Sequence, residues 1–254
     1  MAAQAHADGE LPHPHAESET LRLTSLYAGR GLVVHDVRCR PHDFGTSAEE
    51  CSHLHQVVLP RRGVFQRSLR GKNVLADANQ LLFFSRDEPY RVAHPAGCGD
   101  DCTALSFSDA LLHDALVAHD PDWLARGGRG FRFDQALVDR GLVLTGERLR
   151  AAARAKHDAL ALEEMALALL DAALQCAYRS APRTQAWPSR GRSLQREAAQ
   201  RTALHLATHF AENHSLEEIG RAVHVSPFHL ARLFRRELGT SIHQYRHQLR
   251  LREA

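Results

Sequence analysis

The side chains that could do chemistry in this chain fall into a few groups. In PFHLARLFRREL, residues 227–238, an apolar stripe of Leu230, Leu233, Phe234 and Leu238 recurs at helical spacing. Phe228, His229, Ala231, Arg232, Arg235 and Arg236 are left off that stripe. A guanidinium fork matches guanine edges and phosphate oxygens, and an aromatic ring beside it can touch a thymine methyl. These six residues are the candidate DNA-binding set. Spacing alone also allows a plainer reading, in which the arginines only solvate the outer side of a helical hairpin.

Two further groups could hold a ligand or a metal. His53 and His55, two apart on a predicted strand, would present their imidazoles to one face, a pair that resembles the metal-binding histidines of cupin enzymes. Where that ligand set needs a glutamate, the chain has Leu59, Pro60 and Arg61, so His53 and His55 stand only as candidates for the border of an effector pocket. Cys98 and Cys102, in CGDDC, lie near His94, while Cys39 and Cys51 flank a loop of the same module. Soft ligands so placed could bind zinc or act as a thiol switch. The spacing has no paired partner motif, and Asp100 and Asp101 would raise the thiol pKa, so no metal and no cofactor are assigned. A phosphate-cradling glycine loop, a G-x-S-x-G elbow and an H-E-x-x-H pair are missing from the sequence, and no catalytic residue is assigned.

The cationic group needs elements that start and stop in the right places. Ser215 with Glu218 three residues on is a capping box, which predicts a helix from Leu216 with Leu216, Ile219 and Val223 on one face. Ser226 and Pro227 announce a second helix, with proline at its first position. Two helices joined by a tight turn are what a helix-turn-helix needs, the second one entering a major groove.

Residues 215–254 resemble the first helix-turn-helix of the AraC family of bacterial transcription regulators. The resemblance is carried by Leu216, Glu217, Ile219, Val223, Ser226, Pro227, Leu230, Arg232, Leu233, Phe234, Arg235, Leu238, Gly239, Tyr245, Arg250 and Ala254. It departs at Gly220, where the family more often has alanine, and at His224, where glycine is common. A mid-helix glycine costs up to about 1 kcal/mol and histidine at positive φ is uncommon, which implies a less stable motif. The family's DNA-binding domain has two such units joined by a long helix, and YRHQLRLREA, residues 245–254, matches the start of that helix. The expectation is a chain without the second unit that binds DNA weakly, with Leu249 and Leu251 uncovered and the helix end frayed.

Charge agrees with this placement. Residues 180–254 hold 12 basic against 6 acidic side chains, and residues 1–179 hold 20 against 24, so the cationic surplus lies where phosphate would be met. No apolar run approaches the roughly 20 residues that cross a bilayer, and the N-terminal stretch lacks a signal pattern. The expected location is the cytoplasm, with the five cysteines as reduced thiols.

The fold class expected is α+β and multidomain: an N-terminal antiparallel β-barrel with a helical extension, then an all-α helix-turn-helix. Residues 1–20 read as a disordered leader, and 21–107 as the barrel, in which seven or so short runs such as GLVVHDVRC recur between turns. Residues 108–179 turn helical, with stretches near 136–155 and 161–179; 180–193 read as a linker and 194–254 as the DNA-binding domain. The resemblance implies a cupin-like sensor in the barrel half. It also implies that the 161–179 helix, with Leu162, Met165, Leu169 and Ala173 on one face, packs on the barrel and against a second subunit; burial within its own domain is the alternative. The function expected is a sequence-specific, effector-responsive transcription regulator. Its partners would be double-stranded DNA, a small-molecule effector, RNA polymerase and a second copy of the chain, with no membrane. The other readings are a dimerising interaction protein with impaired DNA binding and, behind it, a cupin metalloenzyme.

Overall fold

The computed structural model describes residues 20–41, 45–180 and 190–253. The leader, apart from Thr20, and most of the predicted linker lie outside the described residues. Alternating runs become antiparallel strands: β1 (Leu21–Gly29), β2 (Leu32–Cys39), β3 (His55–Arg62), β6 (Gln80–Phe84), β8 (Asp100–Phe107) and the short β9 (Gln135–Leu137) form one sheet. Its order is β1-β2-β8-β3-β6-β9. A second sheet, in order β5-β4-β7, is made by β4 (Phe65–Leu69), β5 (Lys72–Ala76) and β7 (Arg91–Ala93). The β4–β5 turn has φ of 49° at Arg70 and 71° at Gly71, the paired positive angles that a tight hairpin requires.

Among the described residues no strand is hydrogen-bonded into both sheets, so the module expected as a barrel is two facing sheets. The turn Asp77–Asn79 is the reason on one side. Asp77 Oδ1 accepts from the Asn79 N–H and the Asp77 carbonyl accepts from the Gln80 N–H, which breaks the run NVLADANQLLFF into β5 and β6 and carries the chain from one sheet to the other.

The large sheet is covered on both faces. Val57, Leu59, Leu81, Phe83, Leu105 and Phe107 point to a core shared with helices, and Val58, Leu82, Phe84, Cys102 and Ala104 meet Phe65, Val74 and Ala76 of the small sheet. The helices are α1 (Asp109–His119), α2 (Pro121–Ala125), α3 (Arg140–Arg154) and α4 (Ala159–Ser180). Ser108 caps α1 and Asp139 caps α3 with their side chains. The helix predicted over 136–155 starts only at Arg140, because Gln135–Leu137 add a strand to the sheet edge at β6.

The stripe on α4 corrects a second expectation. Leu162, Leu169 and Ala173 are 3%, 0% and 0% exposed and Met165 is half-buried, all in the core that holds Leu105, Phe107 and Leu142. The face expected at a dimer interface is covered by the chain's own sheet and helices, since one face of the sheet would otherwise be bare.

The C-terminal helices are α5 (Arg190–Thr208), α6 (Leu216–Val223), α7 (Pro227–Leu238) and α8 (Ile242–Glu253). Ala198 and Leu206 are buried and Phe210 is half-buried, as the pattern requires. Ile219, Val223, Leu230, Phe234, Tyr245 and Leu249 share a cluster with Val64, Leu75 and Ala78 of the β-module, so the two halves are packed together rather than only tethered. Leu249 is 1% exposed, and Arg252 donates to the Ala78 carbonyl and, at 2.7 Å, to Asn79 Oδ1. The helix end expected to fray is therefore held, although Leu251 remains 68% exposed. Among the described residues no helix is long and apolar enough to cross a membrane.

Candidate nucleic-acid interface

The start of α6 is closed from both directions. Ser215 Oγ accepts from the Glu218 N–H at 3.2 Å, and Glu218 Oε2 accepts from the Ser215 N–H at 2.7 Å. That hydrogen bonding keeps the Glu218 carboxyl below its ordinary pKa. His224 ends the helix in the left-handed region, φ 59° and ψ 43°, and the Val225 N–H returns to the Gly220 carbonyl at 2.9 Å. A Cβ at Gly220 would lie 2.6 Å from the Val225 carbonyl oxygen, so in this turn glycine makes room for the backbone instead of merely loosening the helix.

Pro227 opens α7, and Gly239, at φ 71°, closes it with its N–H on the Arg235 carbonyl at 2.9 Å. Leu230, Leu233 and Phe234 are buried; Leu233 packs on Ala198 and Ala199 of α5, and the Phe234 ring stands edge-on to Tyr245 at 5.3 Å. Phe228, His229, Ala231, Arg232, Arg235 and Arg236 are all exposed. The structure thus brings together on one open face the six residues that the pattern singled out. The Arg232 guanidinium lies 5.6 Å from the Phe228 ring centre, and Phe228 is 73% exposed, an apolar side chain held at the surface by a cation. Arg236 is tied down by Gln195 Oε1 at 2.6 Å and Glu237 at 2.9 Å. Arg232 and Arg235 make no ion pair among the described residues. Three guanidinium groups on the open side of a packed helix offer bidentate donors to base edges and phosphates.

The histidine pair of the β-module does not share a face. His53 is exposed ahead of the strand, and His55, the first residue of β3, is buried. His55 Nδ1 accepts the Arg86 N–H at 3.2 Å, its Nε2 lies 3.2 Å from Asp109 Oδ1, and its ring stands edge-on to Phe131. Burial pushes the His55 pKa down, against the pull of the Asp109 carboxylate. This imidazole packs the seam between β3 and α1.

The cysteines sort differently from their spacing. Cys98 and Cys51 are exposed, whereas Cys102 is buried with its Sγ 3.1 Å from Asp100 Oδ2, and burial pushes that thiol well up. Cys39 is the partner that spacing does not reveal. It sits opposite Asp100 in the β2–β8 ladder, and Cys39, His94 and Asp100 bring one ligand atom each within 4.8 Å of one another. His94 Nε2 lies 2.7 Å from Asp100 Oδ1. Burial works against charging His94, but its hydrogen bonds to Asp100 and Cys39 and the charge on both outweigh burial and raise it to about 10.

A second group of histidines gathers at the C-terminal end of α5, where His205 and His209 are four residues apart. The rings of His205 and His209 stack at 4.6 Å, His205 Nε2 is 3.1 Å from His214 Nδ1, and His214 is 2.9 Å from Glu212.

Residues 206–247 match the bacterial regulatory helix-turn-helix proteins of the AraC family. No curated protein matches the chain. Among solved structures, the AraC-like transcriptional activator CuxR is similar at 17% identity and a TM-score of 0.45, over 91% of this chain and 79% of that one. The cupin domain of an XRE family transcriptional regulator from Enterobacter cloacae follows at 14% identity and a TM-score of 0.31, over 35% of this chain and 97% of that one. The Schizosaccharomyces pombe Cnp3 cupin domain has 11% identity and a TM-score of 0.33, over 47% of this chain and 80% of that one. It is the sequence match, and not these slight likenesses, that places the C-terminal helices.

Proposed function

We propose, with residues 206–247 as an AraC-family helix-turn-helix, that this protein is a DNA-binding transcription regulator that reads its operator with α7. The observation that carries the reading is the division of that helix: Leu230, Leu233 and Phe234 are buried while Phe228, Arg232, Arg235 and Arg236 are exposed. In this reading Phe228, in the first turn of α7, and Arg232, at its middle, meet base edges, and Arg235 and Arg236 meet the phosphate backbone. The β-module is the sensing half. Support for a response to an effector comes from packing: Val64, Leu75 and Ala78 lie in one cluster with the helix-turn-helix core, so a shift in the module reaches α8 and α7 directly. The test is a selection from a random duplex library with the purified chain. A recovered consensus supports the reading, and equal retention of all sequences overturns it.

A further inference from the structure

We propose that Cys39, His94 and Asp100 form a binding site for a borderline-soft divalent cation of the zinc class, where the end of β2 and the start of β8 meet the segment after β7. This goes beyond the DNA-binding reading and does not depend on it.

The site is assembled by strand register. Cys39 is the last residue of β2 and Asp100 the first of β8, directly opposite one another in the antiparallel ladder, so their side chains leave the same face. Cys102, two residues along β8, shares that face and belongs to the inter-sheet core with Phe65 and Val58. His94 follows β7 and is laid over this face from the other sheet, its ring 6.3 Å from that of Phe65. A thiol, an imidazole and a carboxylate from three segments thus converge with ligand atoms within 4.8 Å. Tetrahedral zinc with metal–ligand lengths of roughly 2.0–2.3 Å needs its ligands about 3.3–3.8 Å apart, so the ion would replace the hydrogen bond between His94 Nε2 and Asp100 Oδ1, now 2.7 Å apart, by spreading those two atoms slightly, with Cys39 within 4.8 Å of both.

Three surrounding features suit the assignment. His94 and Asp100 are 6% and 5% exposed, whereas Cys39 is half-buried, which leaves the thiol as the side of approach. Cys102 Sγ donates to Asp100 Oδ2 at 3.1 Å and would fix the carboxylate as a positioning residue, the outer-shell support that metal ligands ordinarily have. The backbone is packed too closely to drift: a Cβ at Gly99 would lie 2.0 Å from the Cys39 carbonyl oxygen, and one at Gly63 would lie 2.0 Å from the Gly99 oxygen. Three protein ligands leave the fourth position of a tetrahedral ion open, so the bound ion could take a further ligand from solvent.

The experiment is zinc and cobalt binding by the whole purified chain. Cobalt should produce a thiolate charge-transfer band that is lost in Cys39→Ser and retained in Cys98→Ser. Zinc affinity, by chelator competition, should fall at least tenfold in His94→Ala and about 10–100-fold in Cys102→Ser. His209→Ala, which alters the separate histidine group at the end of α5, should leave it unchanged. A measurement on the unaltered protein guards against misfolded variants: preloaded zinc should protect Cys39, and not Cys98, from alkylation as read by peptide mass spectrometry. Alkylation of Cys39 at the same rate with and without zinc, or a cobalt band that survives in Cys39→Ser, overturns the proposal.

Discussion

The phenol of Tyr245 donates to the carboxylate of Asp77 at 2.5 Å, and both side chains are fully buried. Gln80 Nε2 donates to the same phenol oxygen at 3.3 Å, and Asn79 Nδ2 donates to the Tyr245 carbonyl at 3.1 Å. The turn between β5 and β6 therefore holds α8 through both its side chain and its backbone. Burial, reinforced by the Asp77 charge, pushes the phenol pKa well up, so Tyr245 remains a donor throughout the working range.

Tyr245→Phe removes this donor and keeps the ring against Phe234. It should cost about 1–3 kcal/mol, the range for leaving a buried charged acceptor short of a hydrogen bond. Urea denaturation measures it. A loss that appears as a separate early transition of the helical half locates the bond as the clamp between the halves, whereas unchanged stability would show that the remaining bonds suffice.

Arg232 and Arg236 differ in their surroundings and should differ in effect. Arg232→Ala should weaken binding to the selected operator by about 1–3 kcal/mol and relax preference at one base pair. Arg236→Ala, at a side chain already held by Gln195 and Glu237, should weaken all sequences alike and reduce the salt slope by about 1. Competition gel shifts on operator and random duplex separate the two, and equal losses on both duplexes for Arg232→Ala would remove its assignment to bases.

Leu169 is wholly buried inside the chain, so Leu169→Ala should cost about 2–5 kcal/mol of stability. Light scattering on the folded fraction should give the same mass as the unaltered protein. A clean change in mass with stability intact would return α4 to a subunit contact.

Two histidines give the stability a pH dependence of definite sign. His55 and His205 are both held below their ordinary value of 6.5, in each case chiefly by burial, with His209 and His214 adding to the effect at His205. The unfolded chain then takes up protons before the folded one, so this contribution is complete above 6.5 and is lost as pH falls below it. His94, raised to about 10, acts in the opposite sense but only above 6.5, where its contribution is lost as pH rises, so the melting temperature should decline between pH 6.5 and about 5. His55→Gln should flatten the decline, and an unaltered slope would show that His55 is not among the responsible groups.

Residues 215–238 announce their own structure because each signal acts over a few positions. Ser215 with Glu218, Pro227 at a helix start, Gly239 at a helix end and the Leu230, Leu233, Phe234 stripe each satisfy neighbouring backbone groups or one face of one helix, so spacing determined both the helix-turn-helix and its open cationic side. The alternating runs likewise determined antiparallel strands, the positive φ at Gly71 being of the kind a hairpin turn demands. What covers each face was decided by tertiary structure. The stripe on α4 has the same composition whether it meets a second subunit or its own sheet, and only the packing shows Leu169 inside. Cys98 and Cys102 look like a pair in sequence, yet Cys98 lies exposed in the loop before β8 while Cys102 sits on the inward face of that strand, and ladder register brings Cys39 to Asp100 from about sixty residues away. Asp77 and Tyr245 are farther apart still. A contact between distant segments depends on register and on which surfaces remain bare after the local elements form, and no periodicity within one segment carries that information.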